Sequence, residues 1–328
     1  MDKYAPEKPA QGEWKPVGDG LKSKFVNDVD PANPLPEYPR PQFVRDEWKN
    51  LNGLWDYAIT SSNAGVPTEW DGKILVPFPI ESSLSGVKRQ LDADEALWYR
   101  CEFIIPEGWQ DKNILLNFGA VDYDAVVYLN GTTTRNRVAT HTGGYTSFNA
   151  DITSRINKEG TNTLYVKVLD PTDVRTQATG KQRINWEGTT IWYTPCSGIW
   201  QTVWLEPVNP KYIYDLKITP DLDNNKFNVA LGLNRSASGD QVKVTLKDGG
   251  TIVGEQTLSA SSSAECDMEV LSPKWWSPES PFLYDLEISY ISGGQEVDNV
   301  KSYAALRKIS YARDENGYWR LMLNNQPY

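Results

Sequence analysis

Between Asn185 and Trp200 the sequence gathers the side chains best suited to binding chemistry. Asn185, Trp186, Glu187, Trp192, Tyr193 and Trp200 set aromatic rings beside polar hydrogen-bonding groups. A sugar needs both kinds of group. Its C–H faces lie flat on a ring, and its hydroxyls need an amide or a carboxylate. Trp192 and Trp200 also suit a second role, as hydrophobic plugs against a neighbouring domain, and the residues alone leave both readings open. Glu187 and Asn185, polar residues among rings, read equally as ligand-facing.

Other reactive types are scattered. His141 is the single histidine, so any Ser/His or Cys/His catalysis would rest on it. Its neighbours Thr140, Thr142 and Gly143 describe a strand end or loop, with no carboxylate placed to orient a base. Asp122 and Asp124 are two apart at a strand start, where turn and edge solvation is the expected role. Asp221, Asp223 and Asn225 follow calcium-loop spacing, but Lys226 stands where the sharp turn needs glycine and no glutamate closes the loop. Cys101, Cys196 and Cys266 form no CxxC pair and read as three isolated thiols. No nucleophile elbow, HExxH, P-loop or GxGxxG is present. The chain is therefore assigned no catalytic residue, no metal site and no cofactor. Asn130-Gly-Thr132 and Asn234-Arg-Ser236 are formal glycosylation sequons.

The elements that must position the aromatic segment read as β throughout. Residues 1–40 are polar and broken by prolines, an extended arm without its own core. From Phe43 short apolar runs recur between turn residues, with no sustained 3.6-residue period. Strands are expected at Leu54–Ile59, Leu97–Ile105, Ile114–Phe118, Asp124–Leu129, Asn162–Leu169 and Gln201–Leu205. Asn130-Gly131 predicts a hairpin turn, because both residues tolerate positive φ. Asp151–Lys158 is the one candidate for a short helix. Many strands with long connections suit a jelly-roll sandwich. After the linker Pro207–Pro210, closer-spaced strands are expected at Ile213–Ile218, Phe227–Leu233, Val242–Lys247, Leu283–Tyr290 and Val300–Ala304, with Ser259–Ser263 a loop tip. That second set suits an immunoglobulin-like sandwich without its disulfide. Tyr318–Leu323, after a hairpin turn at Asp314–Gly317, is an apolar strand of a further unit and is expected to be unpaired in a self-sufficient chain.

The 328 residues allow two ordinary domains. Thirty-three basic against 43 acidic residues give a net charge of -10, which disfavours a nucleic-acid partner. No apolar run approaches the roughly 20 residues of a membrane helix, so no membrane partner is expected. Met1-Asp2-Lys3-Tyr4 lacks the apolar core of a signal peptide. The compartment stays unassigned: cytoplasmic, or periplasmic or secreted after signal removal.

Several segments, in order, resemble glycoside hydrolase family 2, which includes β-galactosidases, β-glucuronidases and β-mannosidases. Leu51–Tyr57, Val76–Glu81, Trp98-Tyr99-Arg100 with Phe103, Val121–Tyr123, Val127–Gly131, Gly144–Thr146 with Phe148, and Ile191–Val208 are similar to its N-terminal sugar-binding domain. Trp276–Glu279, Pro281, Leu283 and Tyr284 resemble its immunoglobulin-like domain. Leu306–Ile309 and Leu323-Asn324 with Pro327 resemble the exit into its catalytic barrel. Two departures stand out. Asn325 replaces the usual glycine after "LN", and Thr190 and Ile191 stand where the galactosidase branch has an acidic residue before its tryptophan.

The resemblance implies an all-β chain in four parts: an arm at 1–40, a jelly-roll (galactose-binding-like) sugar-binding domain at 41–208, an immunoglobulin-like β-sandwich at 209–305, and the start of a (β/α)8 barrel at 306–328. It implies retaining β-glycosidase chemistry by two barrel glutamates expected beyond residue 328. The chain would then be non-catalytic and inactive alone, with the absent barrel as intramolecular partner. Carbohydrate would be bound through the parent enzyme, and the exposed tail strand would be a surface for self-association. A free-standing carbohydrate-binding protein is the alternative.

Overall fold

A computed structural model describes residues 14–18, 22–174, 177–184 and 191–328. Asn185, Trp186 and Glu187 lie outside the described residues. Among the described residues there is no α-helix, and no helix is long and apolar enough to cross a membrane. The chain divides into two compact units. The first holds residues 1–39 and 47–207, the second 40–46 and 208–328.

In the first unit the strands are β1 Lys49–Asn50, β2 Gly53–Ser61, β3 Gly72–Val76, β4 Glu95–Phe103, β5 Asn113–Phe118, β6 Val121–Asp122, β7 Asp124–Leu129, β8 Arg137–Thr142, β9 Phe148–Asp151, β10 Asn162–Leu169, β11 Gly198–Ile199 and β12 Val203–Val208. They build a six-stranded sheet in the order β3-β2-β4-β10-β7-β8, a four-stranded sheet in the order β1-β12-β5-β9, and the small pair β11-β6. This is the jelly-roll sandwich. Alternation sets the faces: along β10, Leu164, Val166 and Val168 enter the core, while Tyr165 and Lys167 point outward. β12 is buried along its whole length, as is β5 apart from Asn113. Trp55, Tyr99, Phe118 and Leu205 fill the space between the sheets.

Two local expectations differ. The turn at Asn130-Gly131 opens a longer connection to β8, because the Asn136 amide caps the Leu129 and Asn130 carbonyls (3.1 and 3.0 Å). Residues 151–158 make one turn rather than a helix, with bonds from the Arg155 and Ile156 N–H groups to the Ile152 carbonyl (2.9 and 3.0 Å). The described part of the N-terminal arm lies on this unit. Trp14 Nε1 donates to the Leu84 carbonyl (3.1 Å), and Tyr38 Oη donates to Glu206 Oε1 (2.7 Å).

In the second unit the strands are β13 Ile213–Asp221, β14 Lys226–Leu233, β15 Gln241–Asp248, β16 Thr251–Ser259, β17 Ser263–Glu269, β18 Tyr284–Ser292, β19 Gln295–Ala304, β20 Ile309–Arg313, β21 Trp319–Leu323 and β22 Gln326–Pro327. The sheets β13-β14-β17 and β16-β15-β18-β19 enclose a core that includes Phe227, Val244, Tyr284 and Tyr290, an immunoglobulin-like sandwich. Arg45 crosses into it, pairing with Asp298 at 2.7 Å where both side chains are almost wholly buried. Cys101, Cys196 and Cys266 are free thiols.

The tail strand is not unpaired. β21 pairs with β20 and with β22 in its own three-stranded sheet. Gly317 closes the β20–β21 turn at φ +80°, donating its N–H to the Asp314 carbonyl. What remains exposed is one face: Ile309, Tyr311, Trp319 and Leu321.

Candidate functional site

Two segments of the first unit lie side by side and carry the aromatic rim. Residues 177–184 follow β10, and residues 191–197 lead into β11. Tyr193 N–H donates to the Lys181 carbonyl (2.7 Å), and Arg183 N–H donates to the Tyr193 carbonyl (3.1 Å). This pairing lifts Lys181 and Arg183 over the rings. The Arg183 guanidinium sits 4.8 Å from the Trp192 centroid, and the Lys181 ammonium 5.7 Å from that of Tyr193. Tyr193 is exposed and Trp192 half-buried.

Trp200 stands beyond β11. Its indole N–H donates to the Gly144 carbonyl (2.6 Å), and Tyr145 meets its ring edge-on at 5.7 Å. Tyr145 is 67 % exposed, a free ring face next to an anchored one. Sequence reasoning placed Tyr145 in a motif and not in the site; nothing in Gly144-Tyr145-Thr146 says that the turn after β8 reaches Trp200.

Beneath the rim lies a cluster of acids. Asp122, expected to be a solvated turn residue, is 4 % exposed. It pairs across β6–β11 with Gly198, and Gly144 crowds it so closely that a Cβ there would lie 2.4 Å from Oδ1. Asp124, at the start of β7, is less buried and accepts from Thr142 Oγ1 on the neighbouring β8 (2.6 Å). Gln182 Nε2 reaches Asp122 Oδ2 at 3.5 Å, while its Oε1 accepts the Cys196 N–H (2.6 Å). Asp170, at the end of β10, accepts from Thr172 N–H (2.8 Å), Gln177 Nε2 (2.9 Å) and Ser197 Oγ (2.7 Å). Glu81 Oε2 accepts the Ser197 N–H (2.9 Å). Burial, opposed in part by that bond, pushes Glu81 up to about 7. Burial and then the charge of Asp170 push Asp122 up to about 7 as well. These carboxyl groups hold loops together and do not line an open cleft.

The remaining candidates resolve into structure. His141 Nε2 lies 3.1 Å from both the Gly143 carbonyl and Thr146 Oγ1, and its ring stacks on Phe148 at 4.4 Å. Asp221 binds the backbone and side-chain amide of Asn224, Asp223 binds Lys308 and Asn325, and Asn225 accepts from Trp275. No group of three or more His, Cys, Asp and Glu among the described residues is arranged to hold a metal ion. A groove of about 700 Å³ lies between Asn50, Leu54, Glu102 and Ile104. Its only rings, Trp55 and Phe103, are buried, so it offers a sugar nothing to stack on.

Comparison with known proteins matches residues 83–201 to the family description "Glycosyl hydrolase 2 galactose-binding domain-like" and residues 211–307 to "Glycosyl hydrolases family 2". A β-glucuronidase of Paenibacillus borealis is 25% identical over 289 residues, covering 83% of this chain and 47% of that protein. A β-galactosidase of Thermoanaerobacter pseudethanolicus is 25% identical over 292 residues, covering 85% and 37%. The solved structure of a β-glucuronidase from Ruminococcus gnavus in complex with D-glucuronic acid superposes with TM-score 0.67 at 20% identity, over 89% of this chain and 51% of that one. The chain thus spans about half the length, or less, of the relatives it matches.

Proposed function

Because this chain belongs to glycosyl hydrolase family 2, carrying its N-terminal sugar-binding and immunoglobulin-like domains, we propose that it serves as the non-catalytic front part of a β-glycosidase. In that role the two sandwiches support a catalytic barrel that follows residues 306–328, and the jelly roll helps shape the sugar site. The observation that carries the reading is the rim, where Lys181 and Arg183 lie over the rings of Tyr193 and Trp192 and Tyr145 meets Trp200 edge-on. Retaining hydrolysis needs two carboxyl groups about 5–5.5 Å apart on either side of the scissile bond. The clustered acids of this chain, Glu81, Asp122 and Asp170, are each less than a tenth exposed and are engaged with backbone and neighbouring side chains. That favours chemistry supplied from outside this chain.

The test is a chromogenic assay of the 328-residue chain with β-glucuronide and β-galactoside substrates. No turnover is expected. Turnover abolished by a substitution within the chain would overturn the proposal. The alternative, a free-standing carbohydrate-binding protein, is favoured by one feature, the exposed ring of Tyr145 against Trp200. It predicts sugar binding in titration calorimetry that Trp200→Ala removes.

A further inference from the structure

Three carboxyl groups from distant parts of the chain meet under the rim with no cation among the described groups that act on them. Glu81 comes from the turn after β3, Asp122 from β6 and Asp170 from the end of β10. Glu81 feels burial, its bonds to Ser197 and the charge of Asp170. Asp122 feels burial, Asp170 and Gln182. Cys196 and, from β4, Tyr99 are the other titratable groups facing the cluster, and both are neutral in their ordinary range. The oxygens of Asp170 are taken by Thr172, Gln177 and Ser197, all of them donors. The other two acids are less fully satisfied, for only Oε2 of Glu81 accepts a short bond, from the Ser197 N–H (2.9 Å). Oε1 of Glu81 is buried without a hydrogen-bond partner, although Glu81 as a whole is only 8 % exposed. Asp122 has one long contact, 3.5 Å to Gln182. A buried charge left so poorly compensated is costly, and a proton removes it.

We propose that Glu81 and Asp122 hold protons in a buried acid clasp that fastens Asp170 and Gln182 to Cys196 and Ser197, and that releasing those protons loosens the rim. The clasp is made of the bonds already described. Ser197 is held at its N–H by Glu81 and at its hydroxyl by Asp170, while Gln182 bridges the Cys196 N–H and Asp122. Ionising Glu81 and Asp122 beside Asp170 sets three negative charges against one another with no counter-charge from the described groups that act on them. The rim segments carrying Lys181, Tyr193 and Trp200 are the chain nearest to relieve it.

The sign follows from linkage. Both acids bind their protons more tightly folded than unfolded, so stability is greatest below the ordinary carboxylate range and falls as pH rises through about 7. The experiment measures the thermal midpoint of the full chain from pH 5.5 to 8.5, with Glu81→Gln, Asp122→Asn and Asp170→Asn. All variants keep His141, so differences between profiles isolate the cluster. The wild-type midpoint should fall across this range. Glu81→Gln and Asp122→Asn should each flatten the profile and raise the midpoint at pH 8.5 above wild type, because the amide mimics the protonated acid. Asp170→Asn should lower the midpoint at pH 5.5, since an amide nitrogen in place of Oδ2 cannot accept the Ser197 hydroxyl, and should flatten the profile, since it removes the neighbouring charge. A wild-type profile with no fall, or both amide variants keeping the wild-type slope, would overturn the clasp. Should a variant fail to fold, infrared difference spectra of the wild type decide. A protonated-carboxyl band that titrates near neutrality supports the clasp, and its absence at pH 5.5 refutes it.

Discussion

Gly198 is the position on which the rim most depends, and Gly198→Ala should be among the most damaging single-methyl changes in the chain. Its φ is +89°, which an alanine adopts at a cost of roughly 1–2 kcal/mol. A Cβ built there would lie 2.0 Å from Tyr99 Oη, 3.0 Å from Leu97 Cδ2 and 3.1 Å from Tyr99 Cζ. Tyr99 and Leu97 are wholly buried, so neither can swing away, and overpacking of this kind costs about 1–3 kcal/mol. Pushing Tyr99 aside also breaks the bond its oxygen accepts from the Ile199 N–H (3.2 Å), worth about 1 kcal/mol. The total is about 3–6 kcal/mol. Spread over a unit of about 200 residues, that is a drop of roughly 6–24 °C in the thermal midpoint. Urea titration followed by tryptophan fluorescence is the assay, because ten of the 13 tryptophans lie in the first unit. Tyr99→Phe removes the clashing oxygen, so the double variant should recover about 1–2 kcal/mol relative to strict additivity, while the backbone cost stays. A loss below about 1 kcal/mol for Gly198→Ala, or simple additivity with Tyr99→Phe, would refute the reasoning.

Asp298→Ala should cost the second unit about 3–5 kcal/mol, because it removes the carboxylate of a buried ion pair with Arg45 and strips the Ile213 N–H of its acceptor; faster amide exchange along β13 and β19 is the readout. Replacing Tyr311 and Leu321 together by serine should leave the second unit's stability within about 1 kcal/mol while reducing concentration-dependent self-association in sedimentation velocity. Burial pushes the thiols of Cys101 and Cys196 up to about 12 and that of Cys266 to about 11. At pH 8 the native chain should therefore react slowly with a disulfide reagent, and all three thiols should react once urea is added; prompt release of any one from the native chain would contradict this.

The fold was legible because its signals are local. Asp124–Leu129 and Asn162–Leu169 alternate cleanly, and the observed strands have the same limits. The strands that sequence reasoning passed over, Gly72–Val76, Arg137–Thr142 and Thr251–Ser259 among them, sit at sheet edges, where the pattern is weak because one flank needs no apolar partner. β16 shows the extreme case: its burial follows no alternation at all. The paired tail strand was missed for a related reason. Tyr318–Leu323 looked like a strand in want of a sheet, and its partners β20 and β22 were too short and mixed to announce themselves.

The acids under the rim were illegible for a different reason. Glu81, Asp122 and Asp170 are 41 and 48 residues apart along the chain, and each sits in a context that reads as an ordinary turn or strand end. Only the crossing of β6, β10 and β11 brings them to Ser197. The one local sign was steric. Gly144 precedes an exposed aromatic in a turn that any small residue would satisfy, yet a Cβ there collides with Asp122. The glycine marks a close approach between two loops. The same holds at Gly198, where the collision is with Tyr99. Both glycines flank the path from the acids to Trp200, whose indole bonds the Gly144 carbonyl. The rim is therefore seated on backbone contacts that admit no side chain. Its geometry should be far more sensitive to a methyl group at these two positions than to the loss of any one of its own rings.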